Sequence, residues 1–299
     1  MIVALSFIGN LPKYIIESIH QIRCFYSDDV YLIINDFNSP YLESIKKYNV
    51  ILVNYNNVIH YNFLETIQKN RQKFLYVHGL SGREELFVRS FERFFLLKNL
   101  LEQKKLNDCL FLELDNLIYD DPHNWIEQFS KNELCYMYDN ENRFSSGLMY
   151  VRNDKSLDGF LNCCLHFIRN SNEFMSEMRV LGIYYESNKD IVEILPTYWE
   201  NSTVPQITCF NYHKYNDSIF DALGIGCNLL GSDPFHTKGV IKYNMNLFSA
   251  INYTNLQFEW KNDDNGRRRP FVWNGEKWIL INNLHVHSKD LLSGLSMKL

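Results

Sequence analysis

The segment CLFLELDNLIY, from Cys109 to Tyr119, constrains the fold of this chain more than any other stretch. Its first four residues are apolar without alternation, which is typical of a strand buried on both faces of a parallel sheet. Glu113 and Asp115 follow, and residues two apart in a strand point to the same side. We therefore expect both carboxylates at the carboxyl end of this strand, where open α/β sheets bind their ligands.

Two carboxylates held this close repel each other unless a proton or a cation lies between them. A hard divalent cation, bound by one or two carboxylates and by substrate phosphates, satisfies this condition. An acidic pair at a strand end is equally typical of a turn or a helix cap. The motif Glu113-Leu114-Asp115-Asn116 alone does not decide between these alternatives.

Between the start of the chain and Cys109, short apolar runs alternate with stretches that have a helical period. The segment from Cys109 itself begins with the last of these apolar runs. This alternation predicts right-handed crossovers and a parallel sheet. With 299 residues, the chain is long enough for one large α/β domain or two small ones. The predicted strands cover 2–8, 30–34, 50–53 and 109–113, and the predicted helices cover 13–25, 41–48 and 84–104.

The composition excludes several classes of protein. A net charge of −5 and a pI near 6.0 leave no basic field that would attract nucleic acid. Seven scattered cysteines without a CxxC pair argue against a disulfide framework and against a zinc site. No stretch approaches the roughly 20 apolar residues that a membrane span needs. We expect a soluble, cytoplasmic protein.

The pattern of Glu113 and Asp115 resembles the Asp-any-Asp motif of GT-A glycosyltransferases, with Glu in place of the first Asp. The preceding RSFERFFLLKNLL and the late INNLHVHSKDL are similar to elements of the same sequences. The resemblance implies an α/β fold with a GT-A-like, Rossmann-type mixed sheet, flanked by helices in a single large domain. Residues 1–120 would form the nucleotide-sugar-binding half. Residues 121–299 would form the acceptor-binding half, with a C-terminal strand that binds metal and diphosphate.

The same resemblance implies Mn²⁺ or Mg²⁺ as cofactor, a UDP- or GDP-sugar as donor, and a glycan as acceptor. In that family the acidic pair holds the metal that bridges the diphosphate of the donor. The metal ligands would therefore include Glu113 and Asp115.

His285, His287 and Lys289 alternate in HVHSK, so we predict that they share one face of a strand. Several GT-A families bring a C-terminal histidine to the metal and a nearby lysine to the diphosphate. The resemblance implies these roles for His287 and Lys289. The alternative is a hydrogen-bonded histidine at a strand end, beside a surface lysine.

The resemblance also places the nucleotide over the ends of the first strands. The candidate contacts are Phe7, Ile8, Gly9 and Asn10 after the first strand, and Asp36 after the second. A simple turn after each strand explains these residues equally well.

Arg89 and Arg93 lie four residues apart in the predicted helix, and therefore on one face of it. Arginine binds phosphate or carboxylate through two parallel hydrogen bonds. We predict that one or both lie near the donor or the acidic motif. The alternative is pairing with Glu85 or Glu92 at the surface.

Three further residues complete the predicted donor site. Leu114 lies within the acidic motif, and Ser146 and Gly147 lie in a Ser-Ser-Gly turn that enters an apolar strand. Such a turn is common in GT-A enzymes, where the glycine lets the backbone approach the sugar closely. The alternative is an ordinary turn at the start of a strand.

Asp221 and Asp233 lie in a glycine-rich segment, 219–239, that resembles the acceptor side of the same sequences. Either carboxylate could act as the general base that removes the proton of the acceptor hydroxyl. Each is equally well explained as a cap or a turn residue.

These patterns favour a metal-dependent glycosyltransferase. A non-catalytic glycan- or nucleotide-binding module on the same fold is the second hypothesis, although such a module need not retain Glu113, Asp115 and His287. A nucleotidyltransferase shares the fold and the metal. It usually has a glycine-rich, basic signature after the first strand, which LSFIGNLPK lacks.

Overall fold

Twelve strands and ten α-helices make up the regular part of the chain that the structure describes. The structure is a computed structural model, and it describes residues 1–75, 84–172, 176–199, 203–231 and 249–299. The strands are β1 (Ile2–Phe7), β2 (Val30–Ile34), β3 (Val50–Asn54), β4 (Cys109–Leu112), β5 (Asn116–Ile118), β6 (Leu134–Asn140), β7 (Arg143–Val151), β8 (Val192–Leu195), β9 (Phe258–Asn262), β10 (Arg268–Trp273), β11 (Trp278–Leu280) and β12 (Asn283–His285).

The helices lie mainly between these strands in the first two thirds of the chain. They are α1 (Ile15–Phe25), α2 (Leu42–Lys46), α3 (Tyr55–Val58), α4 (Tyr61–Asn70), α5 (Gln72–Leu75), α6 (Glu84–Lys104), α7 (His123–Phe129), α8 (Asp158–Asn170), α9 (Glu177–Ser187) and α10 (Gly224–Leu230). In the described ranges, no helix has the length and the apolar character needed to cross a membrane.

A seven-stranded sheet with the order β3-β2-β1-β4-β7-β6-β8 lies at the centre. All its neighbouring strands are parallel except β7, which runs antiparallel to both β4 and β6. This mixed α/β sheet with flanking helices confirms the predicted fold class. Because β7 pairs with β4, residues from both predicted halves of the chain share one sheet.

Both faces of the central sheet are covered, and this explains the unbroken apolar runs of its strands. Val3 and Leu5 point into a core shared with α1 and α2, whereas Ile2 and Ala4 point into a core shared with α6 and α8. Successive residues of a strand therefore alternate between two hydrophobic layers rather than between core and solvent.

The predicted boundaries agree closely for the elements that lead to the acidic motif. β2 and α6 match the prediction, and β4 ends at Leu112, so that Glu113 lies just past the strand. Helices α3, α4 and α5 were not predicted. α3 and α5 have only four residues each, whereas α4 has an amphipathic pattern, with Phe63, Thr66 and Ile67 on its buried face.

Two small antiparallel sheets complete the fold. β9, β10 and β11 form one of them, and Gly275, with a φ of 104°, lies in the turn between β10 and β11. In the other, β12 pairs with β5 so that His285 lies opposite Asn116. This pairing brings the end of the chain next to the acidic motif.

Candidate metal centre

The acidic pair lies in a tight turn directly after β4. The N–H of Glu113 donates to the carbonyl of Gly147 on β7 at 2.9 Å, and the N–H of Asn116 donates to the carbonyl of Glu113 at 3.0 Å. Leu114, between the two acids, packs its side chain into the core. Leu114 therefore has only its main chain available for the predicted contact with a donor.

His285 completes a cluster with the two acidic residues. Its Nε2 atom lies 3.0 Å from Oε2 of Glu113 and 3.6 Å from Oδ2 of Asp115. One possible ligand atom from each residue lies within 4.8 Å of those of the other two. Two carboxylates and one imidazole are a donor set that suits Mn²⁺ well and Mg²⁺ through its oxygens.

The geometry favours His285 over the predicted His287 as the histidine of this cluster. The strand ends at His285 and the chain then turns, so the predicted alternation through Lys289 does not continue. The ring of His287 packs against that of His285, with centroids 4.3 Å apart. Its Nε2 atom is buried and has no hydrogen-bond partner among the described residues.

Two basic side chains hold the carboxylates from opposite sides. The guanidinium of Arg93 pairs with Glu113 and donates to Oγ of Ser146 at 3.0 Å. The ammonium group of Lys289 pairs with Asp115. The turn after β12, rather than a continuing strand, delivers Lys289, whose φ of 62° is left-handed.

Arg89, one helical turn before Arg93, lies outside the cluster. It pairs with Glu92 and lies 3.3 Å from a carboxylate oxygen of Glu85. These are the two partners considered as its alternative, although Glu92 is buried rather than at the surface. Glu92 also accepts a hydrogen bond of 2.7 Å from the hydroxyl of Tyr55. Of the two arginines on this face of α6, only Arg93 reaches the acidic motif.

Opposite charges set the protonation of the cluster. Burial would raise the pKa of the Glu113 carboxyl, but Arg93 and His285 hold that pKa below its usual value. Burial acts in the same way on the pKa of Asp115, and Lys289 and His285 more than offset it. Burial would lower the pKa of His285, whereas Asp115 and Glu113 raise it to about 10. Without a cation, a proton on His285 therefore lies between the two carboxylates. A bound metal ion would replace that proton, because an imidazolium has no free lone pair with which to coordinate a metal.

Gly147 allows the close approach of β7 to the cluster. A Cβ atom at this position would lie 2.8 Å from Nδ2 of Asn116 and 2.9 Å from Nδ1 of His285. The glycine therefore makes room for protein side chains, in addition to any contact with a sugar. Ser146 next to it holds Arg93, as described above.

Asp221 is fully buried beneath β12. Its carboxylate accepts hydrogen bonds from the backbone N–H groups of Ile225 at 2.9 Å, Gly226 at 2.7 Å and His285 at 2.9 Å. This geometry favours a role in positioning His285 over the predicted role as general base, because both oxygens are already engaged. The other predicted base, Asp233, lies outside the described residues.

The predicted nucleotide contacts form a loop between β1 and α1. The N–H of Gly9, with a φ of 134°, donates to Oδ1 of Asn35 at 2.8 Å. Asp36 accepts a long hydrogen bond of 3.4 Å from the N–H of Leu11. Asn35 and Asp36 thus hold this loop in place. The nucleotide contacts of residues 7–10 and of Asp36 stay predictions.

Three residues at the cluster escaped the sequence prediction. Tyr14, just before α1, has its pKa raised to about 12 by burial and by the charge of Asp115. Glu177 on α9 lies 3.6 Å from Arg93, and Asn116 accepts from the side chain of Asn283 at 2.9 Å. Only Asn116 carried a signal, its place within the acidic motif. The other two depend on how distant elements pack.

No protein-family model matches this chain, and no significant match was found among curated proteins. Solved structures that are similar in fold include mouse xyloside xylosyltransferase 1 in its apo form, with a TM-score of 0.46 and 11% identity over 72% of this chain and 90% of that one. PaToxG glycosyltransferase has a TM-score of 0.42 and 13% identity, covering 63% and 69%.

A third similar structure is core-mannan synthase A from Aspergillus fumigatus in an Mn/GDP form. Its TM-score is 0.40 and its identity 10%, covering 64% of this chain and 72% of that one. These likenesses concern the arrangement of strands and helices, and they assign neither a substrate nor an activity to this chain.

Proposed function

We propose that this protein is a metal-dependent glycosyltransferase that moves a sugar from a nucleotide-diphosphate donor to a hydroxyl group of a glycan or another acceptor. The observation that carries the proposal is the cluster of Glu113, Asp115 and His285, whose possible ligand atoms lie within 4.8 Å of one another. Arg93 and Lys289 lie beside the two carboxylates.

The residues of the cluster fit a divalent cation and a diphosphate together. Glu113, Asp115 and His285 would hold Mn²⁺ or Mg²⁺, which when bound supplies a Lewis-acid charge for the leaving nucleoside diphosphate. Lys289 and Arg93 carry donors that can bind the phosphate oxygens and stabilise the negative charge that grows on them. Hydrophobic residues surround the cluster on the core side, which lowers the local dielectric and strengthens these interactions.

Unpaired polar atoms beside the cluster support a bound ligand. Nε of Arg93, Nδ2 of Asn116 and Nε2 of His287 are buried, and none has a hydrogen-bond partner in the part of the chain that the structure describes. Buried polar groups without partners are costly, and in native proteins they point to a ligand, a water or an ion. A donor with its phosphate and sugar oxygens offers acceptors to amide and guanidinium groups.

We assign the remaining parts of the site by their position. The loop 7–10 and Asp36 lie at the carboxyl ends of β1 and β2, where the nucleoside would bind. Ser146 and Gly147 would face the sugar. If the reaction inverts the anomeric carbon, Asp233 is the proposed general base. Asp221 would act by holding β12 in place.

The proposal is tested with a panel of UDP- and GDP-sugars and Mn²⁺, measured both by thermal shift and by release of nucleoside diphosphate. A donor at 100 times its dissociation constant stabilises the folded state by about 2.7 kcal/mol. We expect a metal-dependent rise in melting temperature with at least one donor, together with slow hydrolysis.

Asp115→Asn should abolish both signals, whereas Asp264→Asn should preserve them, because Asp264 is an exposed acid of the β9–β10 turn. A full panel without metal-dependent binding would overturn the proposal. So would equal responses from the two variants.

A further inference from the structure

A second polar site lies at the far end of β5 from the metal cluster. Asp120 lies there, five residues after Asp115, or at most about 16 Å of extended chain. The site is a cavity of about 290 Å³. Its lining has four aromatic residues, among them Phe271 and Trp278, and five polar ones, among them Asp120, Asn216, Asp217 and Lys277.

The charges around this cavity cancel in pairs. Asp217 pairs with Lys277 and lies 2.7 Å from Nδ1 of His213. Hydrogen bonds from these two partners hold the pKa of Asp217 below its usual value. Asp120 lies 2.8 Å from the guanidinium of Arg269. The cavity thus offers donors and acceptors without a net charge, which disfavours both a phosphate and a metal ion.

An aromatic face borders these polar groups. Trp278 pairs with Trp273, and Phe271 with Leu280, across the β10–β11 hairpin, so their side chains share one face of the small sheet. The opposite face, with Val272 and Ile279, is buried in the core. Phe271 and Trp278 are half-buried. The ammonium group of Lys261 lies over one face of the Trp278 ring, 4.4 Å from its centroid, and both aromatic side chains border the cavity beside hydrogen-bonding groups.

The loop opposite this face has an unusual backbone. Asn216 and Asp217 are consecutive residues with φ values of 54° and 52°. Two successive left-handed residues without glycine are sparsely populated, and such conformations concentrate at binding sites. The bond of Asp217 to Lys277 on the hairpin holds this loop against the cavity.

We propose that this cavity is a saccharide-binding subsite, separate from the metal cluster, that holds one neutral pyranose unit of the acceptor glycan. A pyranose presents an apolar face of C–H groups and a rim of hydroxyls, which match the aromatic face and the balanced polar groups. The volume, at the lower end of the range for small-molecule pockets, suits one sugar ring. The assignment of this saccharide to the acceptor rests on the proposed function. The proposal that the cavity binds a saccharide does not depend on it.

The test is calorimetric titration of the full chain with five neutral trisaccharides, without metal and without nucleotide. The probes are maltotriose, cellotriose, mannotriose, xylotriose and N-acetylchitotriose. We expect at least one to bind in the millimolar range. Trp278→Ala should weaken that binding by at least about tenfold, which corresponds to about 1.4 kcal/mol.

Tyr61→Ala is the control, because Tyr61 is an exposed aromatic residue of α4 that does not line the cavity. Its affinity should stay within about twofold of the wild type. Asp217→Asn, a milder change with circular dichroism as the check of folding, should also weaken binding. The proposal is overturned if no probe binds to the wild type, or if Tyr61→Ala weakens binding as much as Trp278→Ala.

Because the titration contains neither metal nor nucleotide, its failure would leave the proposed catalysis untouched. Conversely, a protein that binds saccharide here but never binds a nucleotide-sugar with metal would retain this subsite and lose the proposed transfer reaction.

Discussion

The cluster of Glu113, Asp115 and His285 lies at one end of β5, and the cavity lined by Phe271 and Trp278 lies at the other end. The two sites differ in how their charged groups are buried and paired. The cluster buries Glu113 and Asp115 among basic side chains, and its members come from segments as distant as α6 and the turn after β12.

At the cavity, the pair of Asp217 and Lys277 is partly exposed, whereas that of Asp120 and Arg269 is about as buried as the pair of Arg93 and Glu113. A buried charge is stable only while each partner is present, whereas an exposed pair contributes little. Substitutions should therefore have large effects at the cluster and small effects at the pair of Asp217 and Lys277.

The largest effect is expected from the loss of a carboxylate of the cluster. Asp115→Asn and Glu113→Gln should each lower metal-dependent turnover of a nucleotide-sugar by more than about 100-fold, since even indirect partners of metal ligands typically contribute 10- to 100-fold. Release of nucleoside diphosphate measures this loss. If either variant retains a turnover rate close to that of Asp264→Asn, the substituted carboxylate is not needed for turnover. The expected difference between the two ends of β5 would then not hold for activity.

A large effect on stability is expected within α6 itself. Arg93 is 13% exposed, whereas Arg71, which pairs with Glu85 of the same helix, is 64% exposed, so the two arginines compare a buried and an exposed partner of α6. Arg93→Ala should lower the free energy of unfolding by about 3–5 kcal/mol, because Glu113 loses a buried partner.

Arg71→Ala is the control for this comparison. We expect a loss of no more than about 1 kcal/mol, because water screens its pair with Glu85. Urea unfolding gives both values. Equal losses would show that burial does not distinguish the two arginines.

The two histidines of HVHSK give a smaller and more specific difference. His285→Ala should weaken Mn²⁺ binding by at least about tenfold, as expected for a ligand. His287→Ala should weaken Mn²⁺ binding less, because the described residues show no hydrogen bond between Nε2 of His287 and either carboxylate. Titration of Mn²⁺ by electron paramagnetic resonance measures the affinity of both variants. A larger loss of affinity in His287→Ala than in His285→Ala would show that His287 is the ligand.

The smallest effect is expected at the cavity. Lys277→Ala removes a pair in which the lysine is 54% exposed and Asp217 34%. The free energy of unfolding should fall by no more than about 1 kcal/mol, and by less in concentrated salt. A loss comparable to that of Arg93→Ala would contradict the account of the cavity as a lightly coupled surface site.

Local sequence patterns predicted the strands β1, β2 and β4, the last of which leads into the acidic motif. β2 and β4 are unbroken apolar runs, and β1 is apolar except for Ser6, because both faces of the sheet are covered, and this pattern is visible without a structure. The four-residue helices α3 and α5 and the reversal at β7 were not visible in this way, whereas α4 has an amphipathic pattern that was missed. Strand direction depends on which neighbours pair, and no local period encodes that choice.

The candidate site was predictable in its chemistry and less so in its contacts. The spacing of Glu113 and Asp115 indicated a shared side. Lys289 pairs with Asp115 although the strand ends before it, and its predicted contact with a diphosphate stays a prediction. The choice between the two histidines depended on where β12 ends, and the choice between Arg89 and Arg93 on the rotation of α6. Glu177 reaches Arg93 only through the packing of α9, which lies beyond any motif.

The central claim is that Glu113, Asp115 and His285 bind one divalent cation. Pulsed electron paramagnetic resonance of Mn²⁺ bound to the protein with UDP or GDP tests it most directly. The account predicts coupling of the manganese to a histidine nitrogen and to nucleotide phosphorus in one complex. It also predicts that the nitrogen coupling disappears in His285→Ala and persists in His287→Ala. Manganese without a coupled histidine nitrogen, or a coupling that survives in His285→Ala, would contradict it.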